Sequence, residues 1–204
     1  MMSTMDALSI IQNARTDEIV VCTMGAMNAL DKMPQKPLTV ACVPLMGGAA
    51  SLGLGLALAR PERKVIVLDG DASLLMELGG LVSIAQARPK NLYHCLVNNG
   101  VQFAGLGNLT TPGREYTDFV GLALAAGYRS AQRFYDLESF NDAYAGLLEG
   151  EGPVFFELMV TSDAPALGAH RPSIEMTDAR FTRMGDEIQR IRRTLSEESR
   201  AVTT

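Results

Sequence analysis

The chain has 204 residues, 47% hydrophobic and 20% charged, with 19 glycines and no tryptophan, which suits one ordinary globular domain. Its formal net charge of −5 speaks against a general nucleic-acid surface, because phosphate backbones reward clustered Lys and Arg. The one basic cluster, Arg190, Arg192 and Arg193, falls in an acidic C-terminal stretch and reads as a solvated helix face.

In chain order, the residues from Ser3 to Ala14 have helical spacing, with Ser3 or Thr4 as N-cap. Glu18 to Thr23 is a short β-branched run followed by a turn at Gly25, and Leu38 to Val43 reads as a second strand. Gly47 to Arg60 is a small-residue helix ending before Pro61, and Lys64 to Leu68 (KVIVL) is a strand. A helix is expected over Leu74 to Ala87, a strand over Leu92 to Val97, and a helix capped by Thr117 over Thr117 to Ala126. Strand Tyr128 to Phe134, helix Leu137 to Glu149 and buried strand Val154 to Val160 complete the pattern. The tail from Thr161 is polar and closes with a helix from Asp178 to Leu195, expected to pack on the domain or on a partner. Alternating βα units predict an α/β fold, a three-layer parallel sheet with helices on both faces, over residues 1–160.

Cys22 and Cys95 lie in strand-like runs and read as buried reduced thiols; the three cysteines fit no zinc spacing. Residues 1–13 lack the features of a signal peptide, and the apolar stretch from Leu38 to Ala59 is Gly-rich and split by Pro44, so no span of about 18 apolar residues is expected. The expected location is cytoplasmic.

Open parallel sheets bind ligands where strands end and helices begin. One such end reads Asp69, Gly70, Asp71, Ala72, Ser73, and the next reads Asn98, Asn99, Gly100, Val101, Gln102. Gly70 admits a ligand close to the backbone, and Ser73 with nearby N–H groups suits phosphate oxygens. Asp71 would repel that phosphate unless a cation lay between them. The Asp71 carboxylate, the Asn99 amide oxygen and the Val101 carbonyl, with phosphate oxygens and water, would give the octahedral shell that Mg²⁺ prefers. Ordinary turn chemistry explains Asp71 or Asn99 taken singly; their combination across a helix and a strand does not reduce to it. A nicotinamide fingerprint at Gly53-Leu54-Gly55 is disfavoured, because those glycines lie within a helical run and the third glycine is absent.

The stretch LDGDASLLMELGGLVSIAQARPKNLYHCLVNNG, with 28 positions from Asp71 to Asn99, resembles the signature of thiamine diphosphate enzymes. The preceding PLMGGAASLGLGLALARPERKVIVLDGD and the later RPKNL are similar to 2-oxo acid decarboxylases of that family, the sulfopyruvate and phosphonopyruvate decarboxylases in particular. The resemblance covers roughly Glu18 to Val160 and implies the diphosphate-binding, C-terminal type of domain, with thiamine diphosphate and Mg²⁺ as cofactors. It implies cofactor contacts at Thr23, Gly25, Pro44, Met46, Gly70, Asp71, Ala72, Ser73, Asn99 and Val101, and metal contacts at Asp71, Asn99 and Val101. Met46 would prop the cofactor in its bent form, and the Pro44 carbonyl would accept from the aminopyrimidine. Two positions depart from the family pattern: Ala72 replaces its second glycine, a substitution that is costly only where φ is positive, and Pro44-Leu45 replaces Gly-Ser.

The family binds its cofactor between two domains, and the second supplies an activating glutamate. None of Glu18, Glu62 and Glu77 has the expected context, so the resemblance implies one subunit of a split decarboxylase, similar to a sulfopyruvate decarboxylase β subunit. A pyrimidine-binding partner would carry the glutamate in a hetero-oligomer. A carboligase of the acetolactate synthase type and a non-catalytic regulatory partner are the alternatives. No catalytic residue is assigned: His94 reads as a packed core residue and His170 as a weak candidate on the solvent side. Gln102, Phe103 and the loop Gly105 to Arg114 follow the metal end and suit a lid, with Arg114 either a surface residue or a contact for an anionic substrate.

Overall fold

The computed structural model describes residues 2–42, 46–105, 107–162, 164 and 178–201. The elements follow in order as β1 (Met2–Ser3), α1 (Thr4–Ala14), β2 (Ile19–Cys22), α2 (Met24–Leu30), β3 (Thr39–Ala41), α3 (Gly48–Ala59) and β4 (Val65–Gly70). They continue with α4 (Asp71–Met76), α5 (Gly80–Ala87), β5 (Leu92–Asn98), β6 (Val101–Gln102), β7 (Leu109–Thr110), α6 (Phe119–Ala126), β8 (Ser130–Phe134), α7 (Leu137–Glu149), β9 (Val154–Thr161) and α8 (Asp178–Ala201).

The main sheet runs β1-β9-β5-β4-β2-β3, and β8 also pairs with β9. Every pairing in it is parallel. Strand alternation sends Val65 and Val67 to one face and Ile66 and Leu68 to the other, and helices cover both. One core joins Ile66, Leu68, Cys95 and Phe156 to Leu8, Met27 and Phe140 of α1, α2 and α7. The other joins Val65, Val67, Leu96 and Phe155 to Ala50, Ile84, Ala123 and Ile191 of α3, α5, α6 and α8. Gly53 of α3 sits on Val67 with no room for a Cβ, so this glycine serves close helix-sheet packing. The expected three-layer architecture is therefore what the chain adopts.

Several local expectations change. The segment 74–87 is two helices, because the backbone leaves the helical region at Glu77 (φ −134°, ψ 43°). The turn at Gly47 (φ 89°) packs into that break; a Cβ on Gly47 would lie 2.6 Å from the Cβ of Glu77. Gly25 lies within α2 instead of a turn, and the left-handed residue there is Met24 (φ 46°). The cap residue of α6 is Asp118, not Thr117. At the amino end Ser3 caps α1, accepting from the Asp6 N–H at 3.0 Å.

Helix α8 closes the β3 edge of the sheet. Glu187 accepts a hydrogen bond from the Ala41 N–H (2.8 Å), Arg183 pairs with Asp31 (2.9 Å) and Glu187 (3.1 Å), and Ile191 and Leu195 are buried. Among the described residues no helix is long and apolar enough to cross a membrane.

Candidate functional site

The carboxyl ends of β4 and β5 lie side by side, because the two strands pair in register from Val65↔Leu92 to Gly70↔Val97. That register brings Asp71, the first residue of α4, against the Asn98-Asn99-Gly100 turn. Asp71 is buried, and its carboxylate accepts from the Thr111 hydroxyl at 2.7 Å and from the backbone N–H groups of Asp71, Ala72 and Asn99. Burial raises its pKa above the ordinary carboxylate value, against the opposing pull of those donors. A nearby dication would favour the ionised form.

Thr111 was not among the sequence candidates. It follows the small antiparallel hairpin β6–β7, and its N–H donates to the Gly100 carbonyl (3.0 Å), which folds the loop back over Asp71. A Thr-Thr pair before Pro-Gly reads as an exposed turn, and no periodicity marks Thr111 as buried.

The second strand end is fixed from below. Asn98 donates to buried Glu157 (2.7 Å) and accepts from the Gly100 N–H (3.1 Å), while Asn99 Oδ1 accepts from the Val101 N–H (3.0 Å). Glu157 in turn accepts from Arg133 (2.5 Å), which also reaches Asp118 (2.8 Å). Asn99 Oδ1 keeps a lone pair for a ligand. Among the described residues no cluster of three or more His, Cys, Asp and Glu exists, so a cation here would depend on neutral oxygens and phosphate.

The other sequence candidates distribute as follows. Gly70 is half-buried, and a Cβ built on it would lie 4.0 Å from the nearest side-chain atom, so the backbone is open to a ligand. Ala72 is helical and is not among the residues with positive φ. Ser73 is the third residue of α4, not its first, and its oxygen accepts from the Gly47 N–H at 2.8 Å. Its hydroxyl proton stays available, and this bond ties the Met46-Gly47 turn to α4. Met46 is half-buried in that turn. Thr23 follows β2 as the cap residue of α2, is buried, and donates to the Cys42 carbonyl (3.3 Å); Gly25 is exposed with open space above it. Pro44 and His170, like the tail prolines Pro165 and Pro172, lie outside the described residues.

His94 is fully buried in β5. Its Nδ1 meets the Tyr128 hydroxyl at 3.0 Å and its Nε2 lies 3.6 Å from Asp69 of β4, so it belongs to the core as read from its mid-strand position.

Comparison with known proteins follows this geometry. Residues 18–158 match the family described as thiamine pyrophosphate enzyme, C-terminal TPP binding domain. The chain is 39% identical over 134 residues to the phosphonopyruvate decarboxylase of Streptomyces hygroscopicus, covering 65% of this chain but 32% of that protein. It is 36% identical over 174 residues to the sulfopyruvate decarboxylase subunit beta of Methanothermobacter thermautotrophicus, covering 82% of this chain and 88% of that subunit. The chain thus spans about a third of the length of the phosphonopyruvate decarboxylases it matches and most of that beta subunit. The fold is shared with a thiamine diphosphate-dependent 4-hydroxybenzoylformate decarboxylase of Rhodococcus jostii, at TM-score 0.65 and 22% identity over 79% of this chain and 33% of that one. The chain belongs to the thiamine pyrophosphate enzymes, as a C-terminal TPP-binding domain.

Proposed function

We propose that this chain is the diphosphate- and Mg²⁺-binding subunit of a split thiamine diphosphate-dependent decarboxylase acting on a small 2-oxo acid. The observation that carries the reading is the buried Asp71 carboxylate, held by Thr111 beside Asn99 and Val101 at the ends of two paired strands. Asp71, Asn99 and Val101 would hold the metal, while the open backbone at Gly70 and the Ser73 hydroxyl would meet the diphosphate. Thr23, Gly25, Met46 and Pro44 are the proposed contacts beyond the diphosphate. Thiamine diphosphate, when bound, supplies the carbanion and electron sink for loss of CO₂ from a 2-oxo acid. The protein's share is to bind, orient and keep water from that group. The sequence similarity to phosphonopyruvate and sulfopyruvate decarboxylases supports a substrate with a second anionic group, and the coverage of a beta subunit supports a separate pyrimidine-binding partner carrying the activating glutamate.

Ala72 and Pro44 were the two features that kept a non-catalytic partner open; the helical backbone removes the strain at Ala72, while Pro44 lies outside the described residues. The test is calorimetric titration of thiamine diphosphate into the chain with and without Mg²⁺, alone and with its partner, using Asp71→Ala as control. Mg²⁺-dependent binding lost in the variant, with CO₂ and an aldehyde released from a 2-oxo acid, is the expected result. Binding without turnover would favour a regulatory subunit, a C–C bonded product would favour a carboligase, and no binding in either sample would sink the cofactor site.

A further inference from the structure

Arg114 is held against the metal end of the site. Its N–H donates to the Thr111 carbonyl (3.1 Å), and Thr111 is bonded to both Gly100 and Asp71. Its side chain lies across Gly100, the residue between Asn99 and Val101: a Cβ on Gly100 would fall 2.5 Å from Nε and 2.9 Å from Cδ and Cζ of Arg114. Gly100 has φ 69°, so a glycine suits both its backbone and the close passage of this arginine.

The guanidinium itself has no hydrogen-bond or ion-pair partner among the described residues. The contrast is with Arg133, paired to Glu157 and Asp118, with Arg183, paired to Asp31 and Glu187, and with Arg129, paired to Glu151. An exposed arginine positioned by packing and left without a counter-charge is available to bind an anion in a planar, two-pronged way. Electrostatics calls for such a cation here. The diphosphate and Asp71 together outweigh one Mg²⁺, so the mouth of a loaded site would repel a doubly charged substrate unless a positive group stood at its rim.

We propose that Arg114 recognises the second anionic group, phosphonate or sulfonate, of the 2-oxo acid substrate. This deepens the decarboxylase reading above and rests on it. From its sequence position alone, on a loop after the Asn98-Asn99-Gly100 turn, Arg114 reads more readily as an ordinary surface residue; its placement across Gly100 is what distinguishes it.

The test titrates 3-phosphonopropionate, which carries both anionic groups but no ketone, into the chain with its partner, thiamine diphosphate and Mg²⁺. Wild type, R114Q and R114K are compared. R114Q should bind the analogue about 10- to 100-fold more weakly, with R114K intermediate and cofactor affinity within about twofold of wild type. In turnover, the preference for phosphonopyruvate over pyruvate should fall by a similar factor of about 10 to 100. Equal analogue affinity in wild type and R114Q, or no binding by wild type, would overturn the proposal. So would a parallel loss of cofactor affinity, which would place Arg114 on the diphosphate. Arg114-dependent analogue binding without CO₂ release would leave the anion site standing and refute the decarboxylase reading alone.

Discussion

Ala72 occupies the second position of α4, where a right-handed backbone suits alanine better than glycine. Restoring the glycine usual in the family should therefore not improve the protein. Ala72→Gly is expected to lower stability by about 0.5–1 kcal/mol in chemical denaturation, with thiamine diphosphate affinity changed by less than about threefold. A gain in stability would mean that the backbone at this position is under strain. Thr111 carries a larger consequence, because its hydroxyl faces a buried carboxylate. Thr111→Val keeps the shape and removes the donor, leaving Asp71 short of one bond. The cofactor-free chain should lose about 1.5–3 kcal/mol, the range for a hydrogen bond to a charged group. Mg²⁺-dependent cofactor binding should weaken as well, since the loss pushes the Asp71 pKa further upward and disfavours the ionised ligand. Unchanged unfolding and unchanged binding together would show that the bond contributes nothing.

At the scale of elements, the paired strand ends were readable because Asp71 and Asn99 each follow a short apolar run, and consecutive parallel strands end on the same side of a sheet. Thr111 was not readable, since its burial arises from a hairpin folding back over Asp71 and leaves no local pattern. The break at Glu77 was missed although Gly79-Gly80 follows it as a local turn signal; the close packing of Gly47 against Glu77 there leaves no pattern in the sequence. The two-residue β1 is likewise invisible locally, because it exists only through its pairing with Val160 and Thr161. Helix α8 was anticipated from its own periodicity, but its seat on β3 was not. Glu187 satisfies the outward N–H of Ala41 on an edge strand that would otherwise offer it to another chain. Glu187→Ala should cost about 1–3 kcal/mol by leaving a buried donor unmet, and Glu187→Gln, which keeps an acceptor oxygen, should cost less. Denaturant unfolding of the two variants checks this ordering, and equal losses would point to the ion pair with Arg183 instead.

For the whole molecule, the distribution of apolar surface bears on assembly. Tyr116 is 87% exposed, and it lines a cleft of about 450 Å³ together with Leu75, Leu78 and Leu122. Phe103 and Leu109, on the hairpin that follows the Asn98-Asn99-Gly100 turn, are also more than half exposed. Apolar surface near a candidate cofactor site is what a subunit meeting a second domain across that cofactor would present. Aromatic residues at such positions carry a disproportionate part of binding energy, whereas truncating an exposed side chain leaves the fold nearly unchanged. Tyr116→Ala should therefore keep the unfolding transition of the isolated chain within about 0.5 kcal/mol of wild type and weaken association with the proposed partner about tenfold or more. Leu58→Ala is the control: this side chain is 55% exposed near the far end of α3, toward the amino ends of the strands, and should leave association unchanged. Sedimentation of the mixed subunits over a concentration series reads both. Equal association of wild type and Tyr116→Ala would exclude the cleft from the interface, and a matching loss in Leu58→Ala would mean that the partner approaches from the other end of the sheet.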